Sequence, residues 1–68
     1  LNIQYAISES AYIRFALYSH TGTLLYQSDI IQETDGTVEI PTKNLPQGVY
    51  TLYIETDKSQ ISREIIKQ

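Results

Sequence analysis

Asn44-Leu45-Pro46-Gln47-Gly48-Val49-Tyr50-Thr51-Leu52-Tyr53-Ile54 decides how the rest of the chain is read, because a turn signal runs directly into its most strand-like segment. Pro46 fixes φ near the value wanted at the first central position of a turn, and Gly48 admits φ > 0 where extension begins. Beyond it, Tyr50, Leu52 and Ile54 fall on one face and Val49, Thr51 and Tyr53 on the other, the period of two of a strand. Aromatic and β-branched residues on both faces predict a central strand that is covered on each side.

Working outward, Asp57-Lys58-Ser59-Gln60 reads as a hairpin turn into a last strand over residues 61–68. There Ile61, Arg63 and Ile65 alternate with Ser62, Glu64 and Ile66, an imperfect pattern that suits a charged edge strand. Upstream, Thr37-Val38-Glu39-Ile40 alternates cleanly and Pro41 stops it, while Gln32-Glu33-Thr34-Asp35-Gly36 reads as a polar connection with an Asp-Gly turn. Leu45 is expected to plug the rim of the fold as the chain crosses between strands, with a helical turn there at most. Tyr12 to Tyr18 points Ile13, Phe15 and Leu17 inward. Gly22 in Ser19-His20-Thr21-Gly22 marks a hairpin with a left-handed or bulged glycine, and the next strand runs from Thr23 to Gln27, with an extension toward Ile31. Leu1 to Ile7 is a further short amphipathic strand closed by a Ser8-Glu9-Ser10 turn. Short strands at even spacing, with no helical period, predict an all-β fold, a β-sandwich or alternatively a small barrel.

A chain of 68 residues is a single domain, residues 1–68. It has no cysteine, so no disulfide or thiolate metal site supports the core. The net charge of −3, with five scattered Lys and Arg, argues against a nucleic-acid partner. No apolar run has the length of a membrane helix. The absence of Met predicts a piece of a longer protein.

The residues offer little for catalysis. His20, the one histidine, sits in a turn with no nucleophile or orienting acid fixed beside it, and reads as a solvated turn residue. Glu33 and Asp35 supply too few oxygens for a calcium loop. Gly22, Gly36 and Gly48 are isolated, not a phosphate cradle. The six tyrosines, Tyr12 and Tyr18 among them, are either a carbohydrate platform or rings lying on a sheet with wet hydroxyls, and their alternation fits the second better. The expectation is a protein without catalytic residues, metal or cofactor.

The succession Tyr12 to Tyr18, Gly22-Thr23-Leu24-Leu25, Asn44-Leu45-Pro46-Gln47-Gly48-Val49-Tyr50 and the ending Ile65-Ile66-Lys67-Gln68 resembles the C-terminal sorting domain of type IX secretion cargo in Bacteroidetes. The resemblance spans nearly the whole chain, and the Leu-Pro-x-Gly-Val-Tyr run and the basic, isoleucine-rich terminus are its specific parts. Gly48 and Tyr50 match the family's Gly-x-Tyr motif, Gly22 its hairpin glycine and Lys67 its basic terminal position, with Leu45 and Pro46 completing the fold-defining set. The frequent Pro-Asn-Pro-like lead is absent, and Tyr18-Ser19 stands where the family often has Tyr-Asp.

The resemblance implies a small immunoglobulin-like β-sandwich of about six to seven antiparallel strands, the C-terminal module of a longer secreted protein. Its implied function is non-catalytic sorting of an N-terminal passenger through an outer-membrane translocon. The passenger then reaches the surface or the medium by way of the periplasm. In many such proteins a sortase-like peptidase removes the domain as the passenger is joined to lipopolysaccharide. Ile65, Ile66, Lys67 and Gln68 are the candidate recognition surface, an exposed edge and terminus; the competing reading is that the terminal isoleucines only close the sandwich. An accessory sandwich for adhesion or carbohydrate binding is the alternative function. Open edges also allow a strand-swapped homodimer.

Overall fold

A computed structural model describes residues 1–6, 12–32 and 34–68. The expected turn at Ser8-Glu9-Ser10, Ile7 and the carboxylate of Glu33 lie outside the described residues. The described chain is all-β: β1 (Asn2–Ala6), β2 (Ile13–Ser19), β3 (Leu24–Gln27), β4 (Asp35–Glu39), β5 (Gly48–Thr56) and β6 (Gln60–Lys67). They form a four-stranded antiparallel sheet in the order β3-β2-β5-β6 and a two-stranded antiparallel sheet of β1 and β4.

The opening stretch is central, as its composition predicts. β5 lies between β2 and β6, and Leu17↔Leu52, Phe15↔Ile54 and Tyr50↔Ile65 are direct cross-strand pairs on one face. Ile13, Phe15, Leu17, Tyr50 and Leu52 are buried there, joined by Ile40, while Ile3, Tyr5 and Val38 of the smaller sheet pack onto them. Two layers each hide one apolar face, which is how strands without a helix bury a core. The expectation of cover on both faces is not met. Val49 is 40 % exposed on the other side, where Arg14 bonds Glu55 at 2.6 Å and Tyr18 meets Tyr53 edge-on at 5.2 Å. Aromatic and β-branched residues there make cross-strand contacts with water still on one side.

The β2–β3 hairpin turns through Gly22, whose φ of +93° few side-chain-bearing residues adopt. Its amide donates to the Ser19 carbonyl at 3.0 Å, and the ladder shifts register between Leu17 and Tyr18. The Asp35-Gly36 pair, read as a turn, instead lies inside β4 opposite Ala6 and Tyr5. The Tyr5 ring covers Gly36 so closely that a Cβ there would stand 3.1 Å from its hydroxyl oxygen. An aromatic laid across a glycine supplies the packing that the glycine lacks, which is why a turn-forming dipeptide is held extended.

Ser28 explains where β3 ends. Its amide donates to the Phe15 carbonyl at 2.8 Å, and its Oγ accepts from the Phe15 amide at 2.9 Å, taking the place of a backbone carbonyl. Asp29 and Ile30 are thereby passed over, and pairing resumes where Ile31 and Ile13 exchange two hydrogen bonds of 2.9 Å. Ser28→Ala leaves the buried Phe15 amide without that acceptor. The expected loss is about 1 to 2 kcal/mol of stability, read as a lower urea midpoint at unchanged slope; an unchanged midpoint would show that the hydroxyl is dispensable.

Candidate recognition surface at the chain terminus

The terminal residues are positioned by the crossing between β4 and β5. Ile40, fully buried, takes its place by exchanging backbone bonds with Leu1: the Ile40 amide donates to the Leu1 carbonyl at 2.7 Å, and the Leu1 nitrogen donates to the Ile40 carbonyl at 3.0 Å. Pro41 then takes the chain out of the ladder, since it offers no amide. A turn follows in which the Leu45 amide donates to the Thr42 carbonyl at 3.1 Å. Its central residues are Lys43 and Asn44, so the hydrogen-bonded turn comes just before Pro46 rather than around it. Leu45 is half-buried against the core, the rim plug expected of it. Gly48 begins β5 with a positive φ of +155°.

Tyr50 closes this crossing. Its ring is buried, and its hydroxyl reaches back to donate to the Pro46 carbonyl. A tyrosine near the start of a strand that bonds the backbone a few residues upstream also fixes the corner of immunoglobulin-type sandwiches. The spacing of Pro46, Gly48 and Tyr50 is thus one device: the proline and glycine aim the chain, and the tyrosine ties it down.

Lys67 closes the crossing from the opposite side. Its ammonium donates to three backbone carbonyls, those of Thr42, of Lys43 at 3.0 Å and of Leu45 at 2.9 Å. An ammonium has three N–H donors, so all are committed to the turn. The register that brings it there pairs Lys67 with Gly48, Ile66 with Val49 and Ile65 with Tyr50.

The four candidate residues therefore divide by strand alternation. Ile65 is half-buried and packs on the core, and Lys67, also half-buried, is held by the loop. Ile66, 62 % exposed, and Gln68 face water. A cavity of about 160 Å³ beneath the terminus is lined by Leu1, Leu17, Leu45, Tyr50, Ile65 and Lys67 among others. The carbonyl cage of Lys67 carried no signal in the sequence, where a terminal lysine looks like any solvated charge.

The other residues singled out lie elsewhere. His20 is exposed in the β2–β3 hairpin. Asp35 is exposed in β4, and no group of three or more His, Cys, Asp or Glu that could hold a metal occurs among the described residues. Tyr18 pairs with Tyr53, and Tyr12 is half-buried ahead of β2. No helix among the described residues is long and apolar enough to cross a membrane.

The family model described as "Secretion system C-terminal sorting domain" matches residues 1–68. No curated protein and no solved structure matches the chain.

Proposed function

Since the chain belongs to the family of type IX secretion system C-terminal sorting domains, we propose that it directs a passenger joined ahead of residue 1 across the outer membrane, with residues 65–68 as the surface read by the translocon. The family implies attachment to an N-terminal passenger, recognition by the type IX machinery, and export to the cell surface or the medium. The finer reading is that residues 1–68 are the terminal module of a longer protein that passes through the periplasm. A sortase-like peptidase acts on the module after passage.

The observation that carries this reading is the exposure of Ile66 and Gln68 next to Ile65 and Lys67, the two residues at the end of β6 that are tied into the fold. Ile65 and Lys67 fix the end of β6 to the core and the loop, so Ile66 between them is presented from an ordered backbone. A partner that meets a preordered surface loses less entropy on binding than one that must order a loose tail.

The same alternation shapes the experiment. Removing residues 65–68 also removes Ile65 and Lys67, so it disturbs the fold as well as the surface. A companion variant carrying Ile66→Thr and lacking Gln68 keeps both anchors and a β-favouring side chain. Secretion of a reporter passenger is expected to fall in both variants, in the companion by about tenfold or more, the scale of losing an interface anchor. Circular dichroism of the companion should be unchanged. A folded companion exported like the parent would overturn the recognition role and leave the terminus a purely structural one.

A further inference from the structure

Seven large apolar side chains stand exposed among the described residues: Leu1, Leu24, Leu25, Ile30, Val49, Ile61 and Ile66. They are not spread evenly. Val49 and Ile66 face each other directly across β5 and β6. Leu24 is opposite Tyr18, which is opposite Thr51, and Leu25 lines a hollow of about 260 Å³ with Val49, Leu45 and Pro46. Leu1 shares the cavity beneath the terminus with Ile66. Five of the seven thus gather at the end of the sandwich that carries residues 65–68. Ile61, opposite Ile54, and Ile30, beside the Ile31–Ile13 bridge, belong to the other end.

We infer that the sorting machinery reads this apolar end of the folded sandwich, with Val49, Leu24 and Leu25 extending the surface begun by Ile66, and that its receptor presents an apolar concavity. The inference rests on the reading that residues 65–68 are recognised, and it extends that surface onto residues far from the terminus in sequence. Exposed apolar groups gathered at one place mark an interaction site, whereas single ones are ordinary. The occupant follows from continuity, because the patch adjoins residues 65–68, the surface that the proposed function assigns to the export machinery. The Lys67 ammonium has no donor left for a receptor, since all three are held by backbone carbonyls.

The test uses a reporter passenger joined ahead of residue 1, expressed in cells with the type IX apparatus. One variant carries Leu24→Thr, Leu25→Thr and Val49→Thr; a control carries Ile30→Thr and Ile61→Thr, equally exposed at the far end. Threonine keeps strand preference while removing apolar surface. Export is expected to fall about tenfold or more in the first and to stay at the parent level in the control, with the circular dichroism of both unchanged. If the triple variant fails to fold, Val49→Thr alone serves and should lower export about threefold or more, the smaller loss of one side chain.

Equal export by folded triple variant and parent, or equal loss in the control, overturns the inference. If the variant with Ile66→Thr and no Gln68 fails in export while the triple variant succeeds, the terminus is read as a short peptide: the apolar end is then excluded and the recognition role of residues 65–68 stands. Should the triple variant leave export unchanged but lower the melting temperature of the fused passenger, or dissolve a dimer seen by sedimentation, the patch covers the passenger or a second copy, and the inference also fails.

Discussion

Phe15→Ala is expected to abolish the cooperative unfolding transition at ordinary temperatures. Phe15 is fully buried, opposite Ile54 in the larger sheet, with the Tyr5 ring of the smaller sheet 5.8 Å away at a 57° tilt. It is the largest apolar side chain between the two layers, so truncation removes contacts from both at once. Such substitutions cost about 3 to 5 kcal/mol. A chain of this length holds roughly 3 to 10 kcal/mol in all, so the loss is comparable to the whole. Thermal melting by circular dichroism checks this. Phe15→Leu, which keeps most of the volume, should cost only about 1 kcal/mol. A cooperative Phe15→Ala transition within about 1 kcal/mol of the parent, well below the usual cost, would mean that the layers do not depend on this ring.

Lys67→Met is expected to cost about 3 kcal/mol, the upper part of the range for hydrogen bonds to a charged group, because three carbonyls lose their donor together. Methionine keeps the length and the apolar stem, so the loss reports the ammonium. Arginine should not restore it. A planar guanidinium presents its donors in a flat fork, whereas the carbonyls of Thr42, Lys43 and Leu45 converge on one point. By contrast the Arg14–Glu55 pair, half-exposed on the open face, is of the kind that contributes about 0 to 1 kcal/mol. Urea midpoints of Lys67→Met and Lys67→Arg decide the matter: if both match the parent, the cage contributes nothing to folding.

These two effects differ in how far the sequence announced them. Phe15 was legible because its alternation with Ile13 and Leu17 fixes an inward face, and a period of two survives whatever sheet the strand joins. The central place of β5 followed from the same pattern, and the rim position of Leu45 from its place in the crossing between two strands. Which strands share a sheet was not legible, since alternation gives faces and not neighbours; the separation of β1 and β4 from the rest depends on contacts far apart in sequence. The local turn signal of Asp35-Gly36 is overridden for the same reason, because Tyr5 holds that dipeptide extended from another strand. At the terminus, the tail was recognisable as a motif. That its alternate residues do different work depends on the turn at residues 42–45, which no local pattern ties to Lys67. Ser28, a lone hydroxyl after a strand, gave no hint that it stands in for a carbonyl beside Phe15.

The nearness of Leu1 to Lys67 across a shared cavity has a topological consequence. Adjacent domain ends are the condition for circular permutation, so a short linker from residue 68 back to residue 1 of the domain, with the passenger rejoined at new ends opened at the exposed Asp57-Lys58-Ser59 hairpin, leaves both sheets geometrically intact. In such a rewired molecule the terminal surface persists without a loose end. Whether the secretion machinery accepts it separates a shape that is gripped from a thread that is pulled.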